Sequence, residues 1–202
     1  MLRFAMHKLV LVVSVVALTG LGVVALSAAP AGAVPGVCNG TVSGVITSGL
    51  VVHGGDNCDV ENAIVAGGIR MDGGTLRVCN SAVSGGVVVS ISSIWVYDEN
   101  SSWVNIGNDE LDCAGNSLSG GVRVSGVDGY IPGEPNESQP TSSVEFENNQ
   151  IAGGLVVTNN RFVEIEANFV SPSCFASNNG GVSSFEGSHP NIYAGSNVGC
   201  PV

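Results

Sequence analysis

Basic residues and histidine are scarce in this chain. Of its 202 residues only six are lysine or arginine and three are histidine. After residue 33 there is no lysine, and four arginines stand against 17 acidic residues, a formal charge of −13. Such an acidic surface repels phosphate backbones and anionic lipid headgroups, so we expect no nucleic-acid partner. With so little histidine and no Cys-x-x-Cys pair, a zinc site is not expected.

Several other signals are missing. After residue 33 no stretch shows a helical period of apolar residues with capping residues. There is also no Gly-x-Ser-x-Gly motif, and no glycine-rich loop that ends in lysine. These absences favour an all-β chain and leave no motif that names a reaction.

Residues 1–33 have the layout of a secretory signal peptide. Arg3 and Lys8 precede an apolar run from Leu9 to Leu26, and the small residues Ala31-Gly32-Ala33 follow. We expect cleavage before Val34, which leaves no integral membrane span. The alternative is an uncleaved anchor, because about 18 apolar residues are near the lower limit for crossing a bilayer.

A short sequence repeat is clearest between positions 62 and 96. Asn62 is matched by Asn80, Gly67-Gly68 by Gly85-Gly86, and Ile69-Arg70-Met71 by Val87-Val88-Val89. Each period contains three short apolar segments, and stacking such units buries a core that a single unit lacks. The pattern therefore predicts an all-β fold, a right-handed single-stranded parallel β-helix with three short strands per coil of about 18 residues. About seven coils are expected.

The repeat also suggests boundaries. The β-helix is expected over residues 34–170, with a projecting loop at 126–143 that contains three prolines, and residues 171–202 are expected to cap it. Counting along the sequence in steps of one period predicts that Val104-Asn105-Ile106 is the strand equivalent to Ile69-Arg70-Met71. The same count places Leu155 about two periods beyond Val122.

All six cysteines lie after the predicted signal peptide: Cys38, Cys58, Cys79, Cys113, Cys174 and Cys200. An even number in an exported chain predicts disulfides, although six cysteines allow 15 connectivities. Neighbours in sequence suggest Cys38–Cys58 and Cys174–Cys200. Cys79 and Cys113 would then lie nearly two coils apart, about 9.6 Å, which is too far for a relaxed bridge. They pair if the repeat slips near Cys113, and are otherwise buried free thiols.

A column of polar residues is expected at one corner of the coils. Stacked asparagines can bond their amides along a β stack, and asparagine tolerates the left-handed conformation that corners require. The predicted ladder consists of Asn62, Asn80, Asp98, Asn116, Asn149 and Asn168.

Two similar segments place glutamates on neighbouring coils. The segment from Val163 to Asn168 repeats the one from Val144 to Asn149, and both have outward glutamates at alternate positions: Glu145, Glu147, Glu164 and Glu166. The simplest interpretation is an exposed face that keeps the surface soluble. Four close carboxylates could instead bind Ca²⁺, the one cofactor considered, or provide the carboxylate pair of a glycosidase.

Aromatic residues cluster where the regular pattern ends. Trp95 is expected to face outward one coil above Arg77, a plausible cation–π pair, and Tyr97 and Trp103 follow closely. The cluster is either a structural stack or a platform that binds a ligand. Exposed apolar and aromatic area can equally mark a protein interface.

Repeated units of the type Asn-x-x-Val-x-Gly-Gly-Val-x-Val begin at Asn80, Asn116 and Asn149. With the leader, they resemble the right-handed parallel β-helix architecture of the pectate-lyase-like superfamily, and are similar to small exported actinobacterial proteins of unknown function. That superfamily implies polysaccharide lyases and hydrolases with Ca²⁺-binding aspartates beside a basic residue, or with clustered aspartates. None of those catalytic sets can be transferred to this chain residue by residue.

The expected function is therefore non-enzymatic. We expect a secreted or cell-wall-associated structural or interaction protein of the cell envelope, which binds a protein partner or a glycan through an outward face. Self-association through the coil ends is a further expectation. The alternative is a polysaccharide-active enzyme, either a lyase or a glycoside hydrolase.

Overall fold

The structure is a computed structural model that describes residues 34–92, 102–107, 113–129, 143–183 and 190–202. In these ranges the chain forms 20 β-strands and no helix. All strand pairings within them are parallel, and they form an eight-stranded and a twelve-stranded sheet. The all-β prediction is therefore confirmed.

The eight-stranded sheet, sheet one, takes one strand from each repeat. Its order is β1 (Gly36–Val37), β3 (Leu50–Val52), β5 (Ile69–Met71), β8 (Val87–Ser90), β11 (Val122–Ser125), β14 (Leu155–Thr158), β17 (Cys174–Ser177) and β20 (Asn197–Val198). Leu50 pairs with Ile69, and Ile69 pairs with Val87. The predicted step of 18 residues is thus confirmed between Ile69 and Val87, whereas the step from Leu50 to Ile69 has 19 residues.

The twelve-stranded sheet, sheet two, has two arms that start from the long strand β4 (Asn57–Val65), which also pairs with β2 (Gly40–Ile46). Arm one contains β6 (Thr75–Cys79), β9 (Trp103–Ile106), β12 (Val144–Glu147), β15 (Val163–Glu166) and β18 (Val182–Ser183). Arm two contains β7 (Ala82–Ser84), β10 (Ser117–Ser119), β13 (Gln150–Ala152), β16 (Phe169–Ser171) and β19 (Ile192–Tyr193).

The chain visits sheet one, arm one and arm two in turn. Strands β5, β6 and β7 follow one another, and β8, β9 and β10 then pair with them in the same order. Because side chains alternate along a strand, each short strand directs its apolar residues to one side. Ile69 and Met71 of β5 are buried, whereas Arg70 between them is exposed. Such residues from all three rows form one continuous core.

Paired glycines form the corner before each of several strands of sheet one. Gly68 has a φ of +77°, and a Cβ atom there would lie 2.7 Å from the carbonyl oxygen of Gly86. Only glycine fits a corner that combines a left-handed backbone with such a close neighbour. The Gly-Gly pairs in the sequence therefore mark where the repeats pack backbone to backbone.

The middle repeats are much longer than the first ones. Val87 pairs with Val122, and Val122 pairs with Leu155. Each pair lies on adjacent strands and is therefore one repeat apart. The prediction of two periods between Val122 and Leu155 was wrong. The additional residues lie between strands, and a count of fixed steps misses them. For the same reason Val104 pairs with Leu76 of β6 and not with the row of Ile69.

The C-terminal segment 171–202, which we expected to cap the β-helix, contributes strands to both sheets. Strands β17, β18, β19 and β20 extend sheet one and both arms of sheet two. Within this segment the Tyr193 hydroxyl donates a 2.7 Å hydrogen bond to the carbonyl oxygen of Pro201. Burial raises the pKa of Tyr193 to about 12.

Of the predicted loop 126–143, Gly126 to Gly129 belong to the packed repeat, and residues 130–142 lie outside the described residues.

Three disulfides join neighbouring repeats. Cys38–Cys58 and Cys174–Cys200 form as expected, with Cα–Cα distances of 5.3 and 6.2 Å. Cys79 and Cys113 also form a bridge, with a Cα–Cα distance of 5.2 Å. Their sequence separation of 34 spans one long repeat, so the expected gap of nearly two coils was wrong.

Candidate functional site

The corner between the two arms of sheet two has two distinct positions. The first takes a left-handed backbone, with φ of 50° at Asn62 and Asn80, 54° at Asn148 and 53° at Ala167. The residue after it points inward and is buried. In three successive repeats that second residue is asparagine: Asn116, Asn149 and Asn168.

The buried asparagines form a hydrogen-bonded ladder. Asn116 Nδ2 donates to Asn149 Oδ1 at 2.9 Å, and Asn149 Nδ2 donates to Asn168 Oδ1 at 3.0 Å. The last step runs from Asn168 Nδ2 to Asn191 Oδ1 at 3.1 Å. Each accepting Oδ1 also binds the backbone N–H of the donor residue. Buried amides are thereby satisfied along the stack, which is a structural role.

The predicted ladder was displaced by one residue at its start. Asn62 and Asn80 occupy the left-handed position, and Ala63 and Ser81 take the ladder position beside them. The Ser81 N–H donates to Asn116 Oδ1 at 2.9 Å, and the Ala63 N–H donates to Ser81 Oγ at 3.0 Å. Asparagine suits both corner positions, so residue type alone did not separate them. Asp98 lies outside the described residues.

A second, shorter ladder follows sheet one and was not predicted. Val127 N–H donates to Asn160 Oδ1 at 3.1 Å, and Asn160 Nδ2 donates to Asn179 Oδ1 at 3.1 Å. The residues before both asparagines, Asn159 and Asn178, have φ of 58° and 54°. The signal was present as Asn-Asn pairs, which place one asparagine at the left-handed position and the next in the ladder.

The four outward glutamates are adjacent but not exposed. Glu145 pairs in register with Glu164, and Glu147 with Glu166. Their exposed fractions are 4%, 9%, 8% and 3%, in that order, so the expectation of an exposed, solubilising face was wrong. Alternation along a strand gives the direction of a side chain, not what packs over it. Asn105 Nδ2 donates to Glu145 Oε2 at 3.0 Å.

The predicted stack of Trp95 on Arg77 does not fit the register. Asn105, not Trp95, is the neighbour of Arg77 on the next strand. Arg77 forms an ion pair with Asp59 at 3.1 Å, and its Nη2 lies 3.6 Å from the Cys113 sulfur. Trp103 is half-buried opposite Thr75. Trp95 and Tyr97 lie outside the described residues, so their role as a ligand platform stays a prediction.

An apolar stripe crosses the outer side of sheet one. Its members occupy one register position on eight successive strands: Val37, Val51, Arg70, Val88, Arg123, Val156, Phe175 and Val198. At about 4.8 Å per strand the stripe is about 34 Å long. Val88 is 39% exposed and Phe175 is 42% exposed. Arg70 and Arg123 are exposed and form no ion pair with a described residue.

A shallow, wide-open groove of about 790 Å³ runs along the corner of sheet two. We call it the amide groove; its lining is Asn62, Ala63, Ile64, Asn80, Ser81, Ala82, Ala114, Gly115, Asn116, Ser117, Asn148 and Gln150. The buried ladder position forms its floor. The left-handed corner residues form one wall, and the outward residues of arm two form the other.

No family model matches the chain, and neither curated proteins nor solved structures show significant similarity to it. Within the described ranges, no group of three or more histidine, cysteine, aspartate or glutamate side chains is arranged to hold a metal ion. Ca²⁺ binding by the four glutamates stays a prediction. The same ranges contain no helix that could cross a membrane.

Proposed function

We propose that this chain is an exported binding protein of the cell envelope, folded as a right-handed single-stranded parallel β-helix. It binds a protein partner or a glycan through outward faces of the coil and is related to small exported actinobacterial proteins. The β-helix is supported by the pairing order, because from β5 onward each strand pairs in parallel with the strand three positions later. Such stacking makes a rigid, elongated surface on which equivalent side chains repeat.

Three disulfides support an extracellular location. All six described cysteines are paired, which indicates an oxidising environment. Secretion through the leader at residues 1–33 is the route that we propose.

The apolar stripe is the observation that carries the proposed function. It aligns five valines and a phenylalanine with two arginines over eight strands. Exposed apolar side chains that are aligned on a rigid face are typical of interaction sites. Arg70 and Arg123, two strands apart, lie about 9.6 Å from each other and can pair with acidic groups on a partner.

Co-sedimentation with isolated cell envelopes of the source organism tests this function. The exported protein, with its disulfides intact, should be retained, and a Val88→Ser, Phe175→Ser variant should be retained less. The control is Val34→Ser, Val202→Ser, which removes exposed apolar side chains outside the stripe. If the wild-type protein is not retained on any envelope fraction, the proposal fails.

A polysaccharide-active enzyme is the second candidate. Burial of Glu145 and Glu164 on neighbouring strands favours it, because shielded carboxylate pairs suit acid–base chemistry. Asn105 adds a buried Oδ1 that has no hydrogen-bond partner among the described residues. Release of reducing ends from neutral and uronate polysaccharides, abolished by Glu145→Gln or Glu164→Gln, would establish this candidate. Absence of release by the wild-type protein would refute it.

A further inference from the structure

We infer that the amide groove binds a neutral oligosaccharide chain along the axis of the stacked strands. The groove lies on sheet two, away from the apolar stripe of sheet one. This inference rests on the proposed function only in requiring an exported protein that meets glycans. It assigns a second site and a class of ligand to it.

The groove contains amides that can bind a ligand. The side chains of Asn62, Asn148 and Gln150 make no hydrogen bond with any described residue. Each amide has two N–H donors and one carbonyl acceptor, so it can bind the hydroxyl groups of a sugar in either sense. The floor does not compete for the ligand, because the ladder amide of Asn116 is already bonded.

The amides follow the spacing of the strands. Asn62 and Asn148 are three repeats apart in the same row, which is about 14 Å at 4.8 Å per strand. Asn148 and Gln150 stand on opposite walls of one repeat, at one end of the groove. A ligand that lies along the groove therefore meets amides at both ends, and the hydroxyl of Ser117 lies between them.

An exposed aromatic ring extends one wall. Phe169 is the register neighbour of Gln150 on the next strand and is 41% exposed. A flat apolar ring beside hydrogen-bonding amides suits a sugar, which presents C–H faces and hydroxyl edges. Ile64 and Ala82 supply apolar contacts on the same wall.

The charge pattern selects a neutral ligand. None of the 12 lining residues is ionisable, although the chain after residue 33 has a formal charge of −13. That field repels uronates and other anionic polymers. A cationic ligand would find no carboxylate among the lining residues of the groove. An uncharged glycan is the polymer that fits both facts.

Calorimetric titration of the exported, disulfide-intact protein tests the inference. The probes are cellohexaose, xylohexaose, mannohexaose and N-acetylated chitohexaose, with hexagalacturonate as the anionic counterpart. At least one neutral hexasaccharide should bind, and hexagalacturonate should not. If no neutral hexasaccharide binds, or if only hexagalacturonate does, the inference is overturned.

Two variants locate the site, each with a matched control. Asn62→Gly with Asn148→Gly removes two amides, while glycine keeps the left-handed backbone. Its control is Asn159→Gly with Asn178→Gly, the same change at left-handed positions outside the groove. Phe169→Ala is compared with Val202→Ala, which removes an exposed apolar side chain outside both the groove and the apolar stripe. The groove variants should bind about tenfold more weakly and the controls unchanged. Equal effects in variants and controls would place binding elsewhere and overturn the assignment.

Envelope co-sedimentation run in parallel separates the two proposals. If envelopes retain the protein while every neutral hexasaccharide fails to bind, the groove assignment fails and the proposed function stands. If hexasaccharides bind but envelopes do not retain the protein, the groove assignment stands and the envelope function fails.

Discussion

Asn149 and Asn168 are joined twice across neighbouring repeats. The Oδ1 atom of Asn168 accepts the side-chain Nδ2–H of Asn149 at 3.0 Å and its backbone N–H, also at 3.0 Å. A single amide oxygen thus fixes both the backbone and the side chain of the preceding repeat. Because these groups are buried, bulk water does not reach them to replace a lost partner.

Asn149→Ala should therefore destabilise the fold by about 3 kcal/mol, since it leaves buried donors and acceptors on both sides unsatisfied. Chemical unfolding monitored by circular dichroism measures this change. Asn148→Gly, one residue earlier at the left-handed position, is the control and should change stability by no more than about 0.5 kcal/mol. Equal losses in the two variants would contradict the structural role of the ladder.

Ala167 is the one alanine in the described ranges at a left-handed corner, with a φ of 53°. An alanine Cβ is strained in this conformation, whereas asparagine tolerates it. Ala167→Asn should stabilise the protein by about 0.5–1 kcal/mol. Differential scanning calorimetry should show a higher Tm, while Ala152→Asn, at an exposed position within strand β13, should show no gain. A lower Tm for Ala167→Asn would refute the prediction.

The Cys79–Cys113 disulfide closes the longest loop of the three, at a sequence separation of 34. Loop-closure entropy predicts that replacing both cysteines with serine costs about 3–4 kcal/mol of unfolding free energy. The corresponding loss for Cys38 and Cys58, whose separation is 20, should be slightly smaller. Denaturant titrations of both double variants provide the comparison. A Cys79→Ser, Cys113→Ser variant as stable as the wild type would show that this bridge constrains nothing.

The raised pKa of Tyr193 predicts that the protein loses stability in alkali. Burial raises its folded-state pKa from 10.0 to about 12, so the folded protein favours the neutral phenol. Between pH 10 and 12 the Tyr193 phenol ionises in the unfolded chain but stays neutral in the folded protein. This ionisation lowers the free energy of the unfolded chain relative to the folded protein. Stability should therefore be constant with respect to this group below pH 10 and should fall as the pH rises towards 12. Tyr193→Phe should lack this decline in unfolding measurements across that range, and an identical decline would contradict the assignment.

The regular part of the fold was predictable because local chemistry decides it. Valine and isoleucine at alternate positions, with paired glycines at corners, predicted the register of Ile69 with Val87. The long middle repeats were not predictable, since inserted residues change the chain length without changing the strands. Fixed counting therefore assigned Val104 to the wrong row and placed Trp95 beside Arg77, where the structure has Asn105.

The candidate sites were less predictable than the fold. The pattern correctly placed the glutamates on outward positions of adjacent strands, but their burial depends on tertiary packing. The amide groove depends on two rows of side chains that are close only after the repeats stack. Its members are ordinary corner residues in sequence, so no local signal separates Gln150 from any other polar residue.

The ladder also allows repeats of different length to stack on one another. Its successive steps bridge sequence separations of 18, 35, 33, 19 and 23 residues, and the ladder asparagines of the later repeats still lie within 3.1 Å of each other. Each repeat needs only to deliver one residue to the ladder position and three short strands to their rows. Segments between these fixed points can lengthen, shorten or be exchanged over generations without altering the scaffold. In a stack of this kind, the segments between strands can change the outer surface while the buried core stays the same.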